Sequence, residues 1–316
     1  MVLARIIGTS NAGPFLSIGI EILKKGGSAI DAVEATVNAV EDYPFEYTVG
    51  YGGIPNLLGE VELDASIMDG KTLRAGAVAG IKHFKNPISI ARKIMELTPH
   101  VLLIGEGAEL FAETIGFKKC ELLTENSKKI YNAFLKDAID KLEGIFEDEE
   151  AKIHLYQYVK DFKLRDWYEK LHVKHEGTTN VIAMDSEGNI CVGVSTSGTP
   201  LKLPGRVGDS AIIGAGNYAD NNYGGAACTG RGELTIRCST AKSIIYYLKE
   251  GLSVEEACIK AIKDINRLNE KGGVNCIAMD KNGNTWAASN RRTPIYYYMD
   301  INMEKPEKRE GSLIKQ

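Results

Sequence analysis

Thr178 follows Gly177 at the point where a heavily charged stretch of chain gives way to alternating apolar residues. Taken alone, a threonine there is simply a good strand former. It becomes a chemical candidate only if the Gly177–Thr178 bond is cut. Thr178 would then carry a free α-amino group, whose reference pKa of about 7.7–8.0 suits it to act as base for its own hydroxyl. No histidine or aspartate partner is then required, and the chain has no Gly-x-Ser-x-Gly elbow that would supply a different nucleophile. A glycine ahead of the threonine tolerates strained dihedrals that could push the scissile peptide toward attack.

Further polar residues follow within the next sixty positions. Ser195-Thr196-Ser197-Gly198 ends the hairpin that Thr178 begins, which would bring the Thr196 hydroxyl alongside Thr178. Leu203-Pro204-Gly205-Arg206-Val207-Gly208-Asp209-Ser210 is turn-rich and presents a cation and an anion three residues apart. Arg206 can grip a carboxylate with two parallel hydrogen bonds and Asp209 can hold an ammonium, so the two would fit the α-groups of an amino acid. A surface ion pair is the competing reading of the same two residues. In Cys228-Thr229-Gly230-Arg231-Gly232-Glu233, the Thr229 hydroxyl and the Gly230 N–H would suit an oxyanion. A glycine-rich loop capping a helix is the alternative there. Gly214-Ala215-Gly216 and Gly224-Gly225 lack the third glycine and the later acidic residue of a dinucleotide site.

The elements that must position these groups read as an α+β chain in three stretches. In residues 1–117, Ser28 caps an amphipathic helix from Ala29 to Val40, and Gly26-Gly27 closes an earlier one. A glycine-rich loop from Thr48 to Gly53 precedes a strand ending at Asp69-Gly70. Asn86–Leu97 reads as helix, and Val101–Ile104 as a short buried strand or turn. Residues 118–176 hold 12 Lys or Arg and 13 Asp or Glu, against 25% charged residues in the whole chain. Such a segment should bury little and form a surface helix pair or a linker. From 177 on, compact patterning resumes. Val181–Val194 reads as strand, turn and strand around Asp185-Ser186-Glu187-Gly188-Asn189, and Asn275–Trp286 repeats that unit. Two helices are expected between the hairpins, one from about Glu233 and one after Ser253, whose partner Glu256 completes a capping box. Hairpins at both ends with helices between them suggest layered sheets with helices outside.

Composition narrows the function classes. The 316 residues can bury one large core or two modest ones. A net charge of −4, with both signs interspersed, argues against a nucleic-acid surface. No apolar run reaches membrane-spanning length, and the first residues lack signal-peptide features, so a cytoplasmic protein is expected. Cys120, Cys191, Cys228, Cys238, Cys258 and Cys276 form no C-x-x-C pair or zinc spacing and read as buried reduced thiols. Only His172 and His175 could share a helical face, so no metal site is expected.

Taken together, these residues resemble the type 2 asparaginase family of glycosylasparaginases, isoaspartyl peptidases and plant-type asparaginases. Gly26–Glu34, Leu63–Gly70, Gly76–Gly80 and His100–Glu106 look like its landmarks. Beyond Thr178, the spacing of Thr196, Arg206, Asp209 and Thr229 is similar to the family's. The resemblance implies the four-layer αββα fold of N-terminal nucleophile hydrolases. It implies autoproteolysis into an α piece, 1–177, carrying the charged linker 118–176, and a β piece, 178–316, the two forming one domain. It further implies Thr178 as nucleophile, Thr196 as the hydroxyl that tunes it, Arg206 and Asp209 on the substrate's α-groups, and Thr229 with Gly230 as oxyanion hole. The substrate would be the β-amide of asparagine or of a β-aspartyl peptide, with no cofactor, no nucleic-acid or membrane partner, and usually a dimer of αβ units.

Three departures bear on these expectations. Asn180 stands where the family usually has a small glycine or serine, and Asn290-Arg291-Arg292-Thr293-Pro294 replaces a glycine-containing segment. Thr48–Gly53 is more like the glycosylasparaginase branch, which carries a tryptophan in its first loop. Here that loop reads Gly8-Thr9-Ser10-Asn11-Ala12-Gly13-Pro14, and the tryptophans are Trp167 and Trp286. Free asparagine or β-aspartyl peptides are therefore favoured, with a glycosylated asparagine as alternative and a non-processing, silent homologue as a second.

Overall fold

Successive side chains of a strand point to opposite faces, and the strand after Thr178 uses both. Val181 and Ala183 pack into a cluster with Leu23, Val33, Val37 and Ile88. Ile182 and Met184 pack into a second cluster with Ala227, Ile277 and Met279. A strand that is apolar on both faces must be covered on both, and that requirement gives the architecture.

The computed structural model describes residues 2–140 and 177–315. Helices α1 (Leu16–Lys24), α2 (Ala29–Glu41), α3 (Pro87–Leu97), α4 (Gly105–Thr114) and α5 (Glu125–Asp140) belong to the first part. Helices α6 (Gly232–Cys238), α7 (Thr240–Lys249) and α8 (Val254–Asn266) belong to the second. One sheet contains β1 (Arg5–Thr9), β2 (Leu63–Asp69), β3 (Ala75–Ile81), β4 (Leu102–Ile104), β5 (Thr179–Met184), β6 (Ile190–Thr196), β11 (Ile295–Asp300) and β12 (Glu307–Glu310). Its strand order is β12-β11-β1-β5-β6-β2-β3-β4. The other contains β7 (Asn217–Asp220), β8 (Gly224–Gly230), β9 (Val274–Asp280), β10 (Thr285–Ser289) and β13 (Ser312–Leu313), in the order β13-β10-β9-β8-β7. Pairing is antiparallel except for β3–β4 and β10–β13.

Helices α1 to α4 lie on the outer face of the larger sheet, and α7 and α8 on the outer face of the smaller one. The inner faces meet through Ile7, Ile182, Val192 and Val194 against Ala227, Ile277 and Met279. The result is the expected helix–sheet–sheet–helix sandwich. Chain from both sides of Gly177–Thr178 shares the central sheet, since β5 and β6 lie between β1 and β2. Each fully buried Ile or Val at that junction contributes about 1.5–3 kcal/mol, so a backbone cut ahead of β5 leaves the packing that joins the two pieces in place.

Local signals explain several boundaries. The Ser28 hydroxyl accepts the Asp31 N–H at 3.2 Å to start α2. The Ser253–Glu256 capping box starts α8. Asp185 Oδ1 accepts the Glu187 and Asn189 N–H groups, closing the β5–β6 turn.

Several expectations change. Residues 101–104 do hold a strand, but it is the sheet edge, and Ile104 is 64% exposed. Between the hairpins lie three helices, because Ser239 takes a left-handed φ of 46° and separates α6 from α7. The same interval holds the β7–β8 hairpin, so Cys228–Gly230, where a glycine-rich loop was the alternative reading, ends an interior strand. Residues 118–140 also bury more than their charge suggested: Leu122, Tyr131, Leu135 and Ala138 are buried, and the Tyr131 hydroxyl donates to the Leu57 carbonyl at 3.0 Å. The rest of that segment, with Trp167, His172 and His175, lies outside the described residues.

Candidate active site

Strand alternation places the expected residues on one face. Ile182 and Met184 of β5 point between the sheets, so Asn180 and Thr178, two and four positions back from Ile182, point the same way. On β6, Ile190, Val192 and Val194 point between the sheets, and Thr196 continues the series. On β8, Ala227 faces inward while Ala226 and Cys228 pack against the outer helices, so Thr229 faces inward too. Three strands thus deliver three threonines to one end of the space between the sheets.

Thr178 is 7% exposed at the head of β5. Its hydroxyl donates to Thr196 Oγ1 at 3.4 Å, and the Thr196 hydroxyl lies 2.8 Å from the Gly177 carbonyl oxygen. The Gly198 N–H donates to Thr196 Oγ1 at 2.9 Å, which holds that hydroxyl from the far side. Glycine at 177 is required by crowding: a Cβ there would sit 2.0 Å from the side chain of Thr48. Thr9, at the end of β1, accepts the Asn180 N–H at 3.0 Å and so anchors the start of β5 from the neighbouring strand.

Gly177, Thr178, Thr196 and Gly198 open onto a small cleft that also contains Arg206, Asp209 and Gly230. Arg206 does not pair with Asp209. Its Nε and Nη2 engage Glu233 Oε1 at 3.0 and 2.9 Å, with Glu233 in the first turn of α6. Glu233 is partly desolvated, which by itself raises its pKa, but Arg206, its own backbone N–H and Arg231 together outweigh this and hold the carboxyl below its usual range. Asp209 is buried, and burial pushes its carboxyl up to about 6, against the opposing effects of Thr235 and Arg206. Asp209 Oδ2 has no hydrogen-bond partner among the described residues. A buried carboxylate with an unused oxygen in a cleft is suited to an incoming cation. Gly230 occupies φ +127°, which a side chain rarely adopts, and a Cβ there would meet the Gly273 carbonyl at 2.2 Å. The Thr229 hydroxyl accepts from Asn180 Nδ2 at 2.8 Å.

The sequence-derived residues therefore converge, and the structure brings five further residues into their surroundings. Asn180 reaches Thr229. Thr199 and Ser210 line the cleft. Lys202 is wholly buried and donates to the Glu62 carbonyl at 2.9 Å. Burial lowers its ammonium pKa, with Asp64 opposing. Asp64, adjacent to Thr196 in the sheet, accepts the Gly80 N–H at 2.9 Å and the Gly208 N–H at 3.4 Å, tying the Arg206–Asp209 segment to β2 and β3. Among the described residues, no group of three His, Cys, Asp or Glu side chains could hold a metal, and no helix is long and apolar enough to cross a membrane.

Comparison with known proteins bears on the same frame. The asparaginase family pattern matches residues 12–305. A plant-type L-asparaginase of Pyrococcus furiosus is 41% identical over 283 residues, covering 90% of this chain and 87% of the relative. An isoaspartyl peptidase/L-asparaginase of Mus musculus is 39% identical over 273 residues, covering 85% of this chain and 74% of the relative. An N(4)-(β-N-acetylglucosaminyl)-L-asparaginase of Elizabethkingia miricola is 38% identical over 286 residues, covering 88% and 76%. With the family pattern spanning most of its length over a four-layer αββα frame, the chain belongs to the asparaginase family of N-terminal nucleophile hydrolases.

Proposed function

We propose that the chain cuts itself between Gly177 and Thr178 and then hydrolyses the side-chain β-amide of L-asparagine or of β-aspartyl peptides, releasing L-aspartate. The observation that carries this reading is the hydroxyl chain from Thr178 through Thr196 to the Gly177 carbonyl, at 3.4 and 2.8 Å. In the intact chain, Thr178 Oγ attacks the Gly177 carbonyl carbon while Thr196 stabilises the charge developing on its oxygen. The C–N bond breaks as the proton lost from Oγ passes to the departing Thr178 nitrogen, the acyl group is left on Oγ as an ester, and water hydrolyses the ester. The products are a Gly177 carboxylate and a free Thr178 amine.

That amine, when neutral, takes the proton from its own Oγ as the oxygen attacks the substrate's β-carbonyl. Arg206 holds the α-carboxylate and Asp209 the α-ammonium. Thr229 and Gly230 donate to the tetrahedral oxyanion. The amine's acquired proton passes to the leaving nitrogen, and water then hydrolyses the β-aspartyl ester. The names of the relatives, L-asparaginase and isoaspartyl peptidase/L-asparaginase, support this substrate class.

A glycosylated asparagine is the second reading, supported by the loop Thr48–Gly53 and by the similarity to the Elizabethkingia miricola enzyme. Assaying asparagine, a β-aspartyl dipeptide and N-acetylglucosaminyl-asparagine side by side separates them. A dimer of αβ units in the cytoplasm completes the proposal. Exposed Leu102, Ile104 and Leu110 on β4 and α4 support a covered face, and six free cysteines support a reducing compartment.

The deciding experiment is Thr178→Ala. The wild-type protein should give two bands, the shorter beginning Thr-Thr-Asn-Val, and the variant a single full-length chain without activity. A variant that still splits, or an intact wild-type chain that turns over β-amides at full rate, overturns the proposal. A wild-type chain that neither splits nor turns over substrate supports a silent homologue instead.

A further inference from the structure

Asn180 lies two residues beyond the proposed nucleophile on the same face of β5, buried at 1% exposure. Its amide nitrogen donates to Thr229 Oγ1 at 2.8 Å. Its amide oxygen has no hydrogen-bond partner among the described residues. Nothing in the fold needs an asparagine here: the following inward residues, Ile182 and Met184, are apolar and join the inter-sheet core. A buried amide that leaves its oxygen unsatisfied in order to place its nitrogen on one hydroxyl calls for a chemical reason.

A threonine hydroxyl has one proton and two lone pairs. An unconstrained Thr229 could spend its proton on any neighbouring acceptor, and would then present a lone pair to the site. An N–H aimed at Oγ1 prevents that on the Asn180 side. It occupies a lone pair, and the hydroxyl proton must point elsewhere. We infer that Asn180 is a positioning residue that fixes the polarity of the Thr229 hydroxyl, so that its proton faces the oxyanion formed during β-amide hydrolysis. The inference rests on the proposed function and assigns a role to a residue that touches no substrate in that mechanism. Preorganised donors stabilise a transition state because they need no reorientation when charge develops.

The test compares Asn180→Ala and Asn180→Asp with wild type, each first quantified for self-cleavage so that kcat is expressed per cleaved chain. Asn180→Ala frees the hydroxyl to rotate, and kcat on asparagine should fall about 10- to 100-fold with KM within about twofold. Asn180→Asp replaces the donor with an acceptor, so the Thr229 proton turns toward residue 180 and kcat should fall further at neutral pH. As pH drops, the introduced carboxyl is protonated and can again donate. The ratio of Asn180→Asp to wild-type kcat should therefore rise toward acid, while the Asn180→Ala ratio stays flat. Taking ratios removes titrations that all three proteins share: the Thr178 amine and Asp209, with the Arg206–Glu233 pair beside them.

A role confined to packing would lower thermal stability without producing that opposite pH trend. Unchanged kcat in Asn180→Ala, a loss confined to KM, or a flat Asn180→Asp ratio each overturns the inference while leaving the proposed function standing. Wild-type protein that cleaves itself yet is idle on every β-amide overturns both.

Discussion

The Thr196 hydroxyl stands between Thr178 and the peptide bond that precedes it, 3.4 Å from Thr178 Oγ1 and 2.8 Å from the Gly177 oxygen. One side chain thus touches both the attacking atom and the carbonyl it would attack. Removing it should slow self-cleavage more than it disturbs the fold, since Thr196 lies at the end of β6. In Thr196→Val the half-time of cleavage, followed on denaturing gels, should lengthen by about 10²-fold or more, the typical effect of losing one oxyanion donor. Thr196→Ser, which keeps the hydroxyl, should recover most of the rate. Equal rates in the wild type and the valine variant would remove Thr196 from the cleavage step.

Gly177 is held against Thr48 closely enough that a methyl group would lie 2.0 Å from that side chain. Gly177→Ala should therefore displace the scissile carbonyl from Thr196 and slow cleavage strongly. Thr48→Gly alone should have a small effect. The double variant Gly177→Ala with Thr48→Gly should cleave faster than Gly177→Ala, because the two positions share one contact and their effects do not add. A double variant as slow as the single one would mean that backbone freedom at Gly177, rather than crowding, sets the rate.

The grouping of Thr196 and Thr229 around Thr178 was legible because they lie within fifty-one positions of it in the sequence. Thr196 followed from the length of the β5–β6 hairpin alone. Thr229 was legible as a residue but not as part of a strand: Gly224-Gly225-Ala226-Ala227 has weak strand propensity and forms β8 because the inner core and the α7–α8 layer cover its two faces. Arg206 and Asp209 looked like a pair by spacing. The structure separates them because Asp209 turns inward while Arg206 reaches α6, an element distant in sequence. The burial of Lys202 and Asn180 could not be read, since it is decided by neighbours from distant parts of the chain. Edge exposure at Ile104 was hidden for a related reason: an apolar run indicates a strand but not which of its faces is covered.

Arg206 is set by Glu233 at two nitrogens, leaving its flat guanidinium oriented beside the cleft. A lysine keeps the charge and loses both the fork and that orientation. Arg206→Lys should raise KM for asparagine about 10- to 100-fold, with kcat within a few-fold and self-cleavage unchanged. A loss carried by kcat alone would place Arg206 in the chemical step and not in α-carboxylate binding.

Asp209 should give the reaction a pH dependence. Its carboxyl is raised from 3.8 to about 6, first because it is buried. Above pH 6 it is ionised and can hold the substrate's ammonium; below, it is neutral and cannot. Bound substrate favours the ionised form and so lowers that pKa in the complex. The plot of kcat/KM should therefore carry an acid limb near pH 6 from the free enzyme, and kcat should lack it. The Thr178 amine must also be neutral, which gives kcat its own decline below the amine's pKa, about 7.7–8.0 before the site perturbs it. In Asp209→Asn, KM should be high at every pH and the limb near 6 absent, while the amine's limb in kcat remains. Loss of the limb near 6 with KM unchanged would show that the carboxyl titrates without touching the ammonium, and α-amine recognition would then have to come from another group.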